Sequence, residues 1–157
     1  MKTQQIEKEI YSTFAEIACN IGYSEIHGRI IGALLVKGKP LSLQELSKEI
    51  GYSISTVSPS LDLLEFLGMI KKVKRVNDRN LYIQLEGDLL DGLKKAFLIR
   101  IQKSVNNSLD KFKLYRNEVK KSGNGNKKEM LRAINVLEKD VKRVNRYITI
   151  LSKLRLS

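Results

Sequence analysis

Residues 42–85 read SLQELSKEIGYSISTVSPSLDLLEFLGMIKKVKRVNDRNLYIQL, and the order of elements in this stretch decides the fold. Ser42-Leu43-Gln44-Glu45 fits a capping box, in which a serine hydroxyl and a glutamate carboxylate satisfy helix-start amides reciprocally. The helix opened there is short, because Gly51 closes it at Ile50. Ser53 or Ser55 begins the next helix, whose apolar residues Val57, Leu61, Leu64 and Leu67 share a face, and Gly68 stops it. Met69 to Val76 alternates loosely; Leu81, Ile83 and Leu85 alternate strictly, as a half-buried strand should. Between them Asn77-Asp78-Arg79-Asn80 supplies residues that tolerate tight-turn backbone angles. Helix, turn, helix, strand, polar turn, strand is how a winged helix-turn-helix is written.

Working outward, Ile6, Ile10, Phe14, Ile17 and Ile21 step as an amphipathic helix that Gly22 ends. Ser24 offers an N-cap for a second helix, closed at Lys37-Gly38 with Pro40 preventing continuation. Gly87 and Asp88 begin a long helix striped by Leu90, Leu93, Phe97, Ile101, Val105, Leu109, Phe112, Tyr115 and Val119. Ser122-Gly123-Asn124-Gly125-Asn126 is the clearest loop. Beyond it Met130, Ile134, Leu137, Val141, Val144, Ile148 and Leu151 form a heptad seam, the pattern of a helix packed lengthwise on a partner. The expected architecture is mostly α with a small β-hairpin: a winged helix-turn-helix plus long dimerisation helices. Its parts are an N-terminal dimerisation helix (1–22), the winged helix-turn-helix (23–87) and two long antiparallel helices (88–157). The flanking helices hold more apolar surface than one winged helix can cover. A homodimer interface is therefore expected from Ile6, Ile10, Phe14, Phe97, Ile101, Met130, Ile134, Leu137, Val141, Val144, Ile148 and Leu151.

The chain has 157 residues and a formal net charge of +12, which points to a polyanionic partner. The charge is uneven: six basic side chains match six acidic ones up to Ser60, and the remainder has 23 against 11. The polar start argues against a signal peptide, and no apolar run approaches the roughly 20 residues of a membrane span. A soluble, cytoplasmic protein without a membrane partner is expected. Cys19 is the single cysteine and reads as a buried thiol. His27 is the sole histidine, and no phosphate loop, HExxH or GxSxG occurs. Neither an enzyme nor a bound cofactor or metal is expected.

Double-stranded DNA is the polyanion that the element order suits. The second helix of such a motif enters the major groove by its N-terminal end. Here that end offers the short hydroxyls of Ser53, Ser55, Thr56, Ser58 and Ser60, with Ser42 at the start of the preceding helix. Hydroxyls and helix-start amides suit phosphate oxygens. The hairpin adds Lys71, Lys72, Lys74 and Arg75 along its first strand and Arg79 at its tip, where a narrow minor groove attracts arginine. The plainer alternatives are capping serines and a charged strand edge that resists aggregation.

The run Pro40-Leu41-Ser42-Leu43-Gln44-Glu45-Leu46, Ser55-Thr56-Val57-Ser58, Leu61 to Ile70, Asp78-Arg79 and Tyr82 resembles the MarR superfamily of winged-helix regulators. The chain start and the two long final helices look most like its archaeal GbsR-like branch. The resemblance implies a homodimer that binds palindromic operators and represses or tunes transcription. It also implies that Ser55, Thr56 and Ser58 are recognition-helix positions and that Asp78 orients Arg79 in the wing. Two departures stand out. No Arg or Lys lies between Lys48 and Lys71, so bidentate arginine-to-guanine readout is not available, and Pro59 falls inside the recognition helix. A DNA-binding transcriptional regulator, most simply a repressor, is the expectation. A winged-helix protein-interaction module and a nearly sequence-independent DNA-binding protein are the alternatives. A small-molecule effector has no fingerprint here, and the six tyrosines read as packing residues.

Overall fold

The computed structural model describes residues 2–123 and 125–155; Met1, Asn124 of the loop named above, Leu156 and Ser157 lie outside them. The elements are α1 (Lys2–Asn20), α2 (Glu25–Lys37), β1 (Leu41–Ser42), α3 (Leu43–Ile50), α4 (Ile54–Phe66), β2 (Ile70–Lys74), β3 (Leu81–Leu85), α5 (Leu89–Lys121) and α6 (Lys127–Lys153). The fold is mostly helical with one small antiparallel sheet of order β1-β3-β2, the architecture of a winged helix. The hairpin has a third strand that alternation could not reveal, since β1 is two residues long and pairs Leu41 with Ile83 and Ser42 with Tyr82. Among the described residues no helix is long and apolar enough to cross a membrane. The chain divides into two compact units, 1–96 and 97–157.

The first unit is built around Ile30, Leu34, Leu46, Val57, Leu61, Ile70 and Ile83, all essentially without solvent contact. Helix α2 reaches this core by lying close against α1, and two glycines permit the approach. A Cβ on Gly28 would stand 2.0 Å from the Phe14 carbonyl oxygen. Phe14 itself packs against this core, which reduces what it can offer a second chain. Polar ties hold α1 and α2 to each other and to α3: Tyr11 Oη donates to Glu49 Oε1 at 2.8 Å, and Lys37 Nζ lies 3.1 Å from Glu7 and 3.2 Å from Glu49. These carboxylates, after desolvation, push the Tyr11 phenol well above its ordinary value. Gly38 and Gly51 close α2 and α3 in the left-handed region, at φ 63° and 74°.

The second unit pairs the remainder of α5 with α6. Gln102 Nε2 donates to Asn145 Oδ1 at 2.9 Å, and the Arg116 guanidinium meets the Glu138 carboxylate, so the two helices run antiparallel. Leu98, Val105 and Ile148 are buried with Ile101, Leu109 and Val141 against them. The α6 seam therefore splits in two. Ile134, Val141 and Ile148 turn inward, whereas Met130, Leu137, Val144 and Leu151 remain exposed. This corrects the expected interface: Ile134 and Ile148 spend their surface within the chain, and Ile101 and Val141 do so in part. Ile6 and Phe97 are exposed and Ile10 is half-buried.

Candidate nucleic-acid interface

Helices α3 and α4 are set by their caps. Ser42 Oγ accepts from the Glu45 amide at 3.1 Å while the Glu45 carboxylate accepts from the Ser42 amide at 2.8 Å, which holds that carboxyl below its usual range. Both bonds are partly buried and Ser42 is 6% exposed, so its expected place on DNA is corrected: the hydroxyl is committed to the cap and the backbone to the sheet edge. Gly51 N–H donates to Ser47 O at 3.0 Å, and the Ser47 hydroxyl donates to Tyr52 O, fixing the turn between the helices.

Ser53, not Ser55, caps α4. Its Oγ accepts from the Thr56 amide at 3.3 Å and lies 3.0 Å from Ser55 Oγ and 2.7 Å from Thr56 Oγ1. Pro59 sits inside the helix, which continues to Phe66; the Ser55 carbonyl, four residues back, loses its helical donor there. Ser53, Ser55 and Thr56 are exposed and clustered, Ser58 is half-buried, and Ser60 is 7% exposed. Ser60 is thus a second correction, since it belongs to the inward face beside Val57, Leu61 and Leu64.

The charged residues of α4 are both acidic and exposed. Asp62 and Glu65 both engage Lys72, Asp62 at close range and Glu65 at 3.7 Å. The hydrogen bond to Asp62 is the main reason the Lys72 ammonium is held above its ordinary value. Lys72 is thus ion-paired to α4 in the unbound chain.

In the wing, β2 and β3 pair from Ile70 opposite Leu85 to Lys74 opposite Leu81. Lys71, Lys74, Arg75 and Arg79 are all exposed, Lys71 lying 4.0 Å from Glu86. The Arg75 guanidinium rests 3.6 Å from the centre of the Tyr82 ring. Tyr82 Oη donates to Asp78 Oδ2 at 2.8 Å, and Asp78 Oδ1 accepts from the Asn80 amide at 2.9 Å. These donors, the Asn80 amide first, hold the Asp78 carboxyl below its ordinary value. Asp78 thus shapes the turn and fixes Tyr82, and with it Arg75; the expected pairing with Arg79 is not formed. The reason is local: an aspartate in a turn bonds the amide two residues on. Arg79 projects from the tip without an ion pair among the described residues.

Two features escaped the sequence reading. An apolar cavity of about 270 Å³ opens between α1, α2, α4 and the first turns of α5, walled by Phe14, Ala18, Ile31, Leu64, Leu93 and Ala96. His27 lies on its rim, where desolvation pushes the imidazole below its ordinary value while Ser24 Oγ sits 2.8 Å from Nδ1. Cys19 is exposed rather than buried, because it lies on the outer face of α1 near Ser12 and Glu16. The uneven charge read from the sequence divides with the units. The first has 13 basic and 12 acidic side chains, the second 16 and 5.

No family model matches the chain, and no curated protein matches it. Solved structures do. One, a crystal structure of a transcriptional regulator, is 19% identical with a TM-score of 0.52, covering 90% of this chain and 97% of its own. Another, the heme sensor protein PefR in complex with heme and carbon monoxide, is 17% identical with a TM-score of 0.36, covering 99% and 97%. The first of these likenesses is one of fold.

Proposed function

We propose that this protein is a DNA-binding regulator of transcription, most simply a repressor, that acts as a homodimer. The observation that carries the reading is the wing: Lys71, Lys74, Arg75 and Arg79 line one exposed hairpin directly after α4, whose hydroxyl-rich start is exposed as well. In this reading Ser53, Ser55 and Thr56 meet the major-groove backbone and the wing tip enters the flanking minor groove. With no cation on α4, base discrimination is modest and phosphate contacts supply most of the affinity. The exposed stripe of Met130, Leu137, Val144 and Leu151 supports self-association. Membership of the MarR superfamily, in its GbsR-like branch, rests on the residue resemblance given above. No cofactor is required. A small apolar effector would have a place in the cavity, whose wall includes Leu63, Leu64 and Leu67 at the end of α4.

Fluorescence anisotropy against the chain's own upstream duplex and a scrambled duplex, at two salt concentrations, tests the reading. A tenfold preference for the native duplex is expected. Arg79→Ala lowers the slope of log affinity against log salt by about one. Equal binding of both duplexes rejects operator recognition. A docking module for protein is the second reading, favoured by Asp62 and Glu65 on α4, and failure to bind either duplex at low salt would select it.

A further inference from the structure

The charge that suggested a polyanion does not sit in the winged helix. The first unit is close to neutral, and the second carries a net +11 of the chain's +12. Within the second unit the excess is ordered. Arg132, Lys139, Arg146 and Lys153 follow one another at intervals of seven residues along α6, and all four are exposed. At 1.5 Å per residue they stand about 10 Å apart and span about 31 Å.

Lys128, Lys142 and Arg143 fall within about 50° of that line, so seven cations share an arc of about 100°. None of the three α6 carboxylates lies on it. Glu138 is turned toward Arg116 and Lys142, whose hydrogen bonds hold it down to about 2, and Asp140 pairs with Arg143 at 3.5 Å. Arg132, Lys139, Arg146 and Lys153 form no ion pair among the described residues.

Such a row does not suit a small anion, which needs donors converging on one point. It suits a linear polyanion long enough to meet several cations at once. Duplex DNA presents a phosphate charge about every 1.7 Å of axis and completes a turn in about 34 Å. We propose that the basic face of α6 is a second DNA-binding surface, one that grips the phosphate backbone without reading sequence. The proposal goes beyond operator recognition and depends on neither the wing nor a dimer, although a winged helix makes duplex DNA the favoured polyanion. Its function would be to hold the protein on DNA between specific sites, or to bind a second segment.

The test uses the full chain and a scrambled 40-base-pair duplex, with anisotropy read across a salt series. Arg132→Gln/Lys139→Gln/Arg146→Gln is expected to reduce the slope of log affinity against log salt by about two to three, since each lost phosphate contact removes about 0.9. The charge-conserving Arg132→Lys/Lys139→Arg/Arg146→Lys is expected to bind as the parent does. A neutral triple that keeps the parental slope overturns the proposal. So does loss of binding in the charge-conserving triple, which would make the effect structural. Binding of the parent chain to phosphatidylserine vesicles but not to the scrambled duplex would also overturn it, naming an anionic membrane as the partner. Arg79→Ala, followed by preference for the native duplex, reports separately on the winged helix, so either reading can fail alone.

Discussion

A methyl group on Gly28 would meet the Phe14 carbonyl oxygen at 2.0 Å, a contact that only movement of one helix could relieve. Backbone cannot rotate aside as a side chain can, so Gly28→Ala sits at the costly end of overpacking, about 3 kcal/mol. Calorimetry should show Tm lowered by roughly 6–12 °C for a chain of this size. An unchanged Tm would mean that α1 and α2 do not approach this closely. His27, the residue before Gly28 and on the cavity rim, responds to pH. Its folded pKa lies below 6.5, so as pH falls through that value the unfolded chain takes up the proton first and stability declines. The urea midpoint should therefore fall between pH 7.5 and 5.5, before carboxylates titrate. His27→Gln, which keeps a helix-start acceptor for the Ser24 amide, should flatten that decline. A decline that persists in the variant would place its source elsewhere.

At the scale of elements, Ser42 separates a structural hydroxyl from a binding one. Ser42→Ala removes the acceptor for the Glu45 amide and should cost about 1 kcal/mol in urea unfolding. Affinity for the native duplex should stay within twofold; a tenfold loss at unchanged stability would return Ser42 to the interface. The helices, the hairpin and the loop after α5 were legible because periodicity and glycine placement are local and repeated. Strand β1 was not, since two residues cannot show a period of two. The capping serines were found, but serine burial was not legible: Ser42 and Ser60 differ from Ser55 only in what packs over them. The ion pairs of Lys72 were not legible for a related reason. Its partners, Asp62 and Glu65, lie up to ten residues away on another element. The wing aspartate was located correctly, yet its acceptor bonds go to Asn80 and Tyr82, and Arg75 rather than Arg79 gains order from them.

For the whole molecule, self-association is the property that the exposed α6 stripe predicts. Leu137→Glu/Leu151→Glu places charge on two of its members, which are 51% and 42% exposed, so the folded single chain loses little. Sedimentation should show a dimer for the parent and a monomer for the variant. A variant that still dimerises would move the interface to another surface. The same helix carries an inward line (Ile134, Val141, Ile148), an apolar outward line and a basic line, all repeating every seven residues. Its length is consequently constrained in a way that its composition is not. One residue inserted between Val141 and Val144 would turn everything beyond it by about 100°. Ile148 would swing out toward solvent and the later cations would leave the row begun by Arg132. Over evolutionary time α6 should thus lengthen or shorten by whole heptads, while its loop remains free to vary one residue at a time.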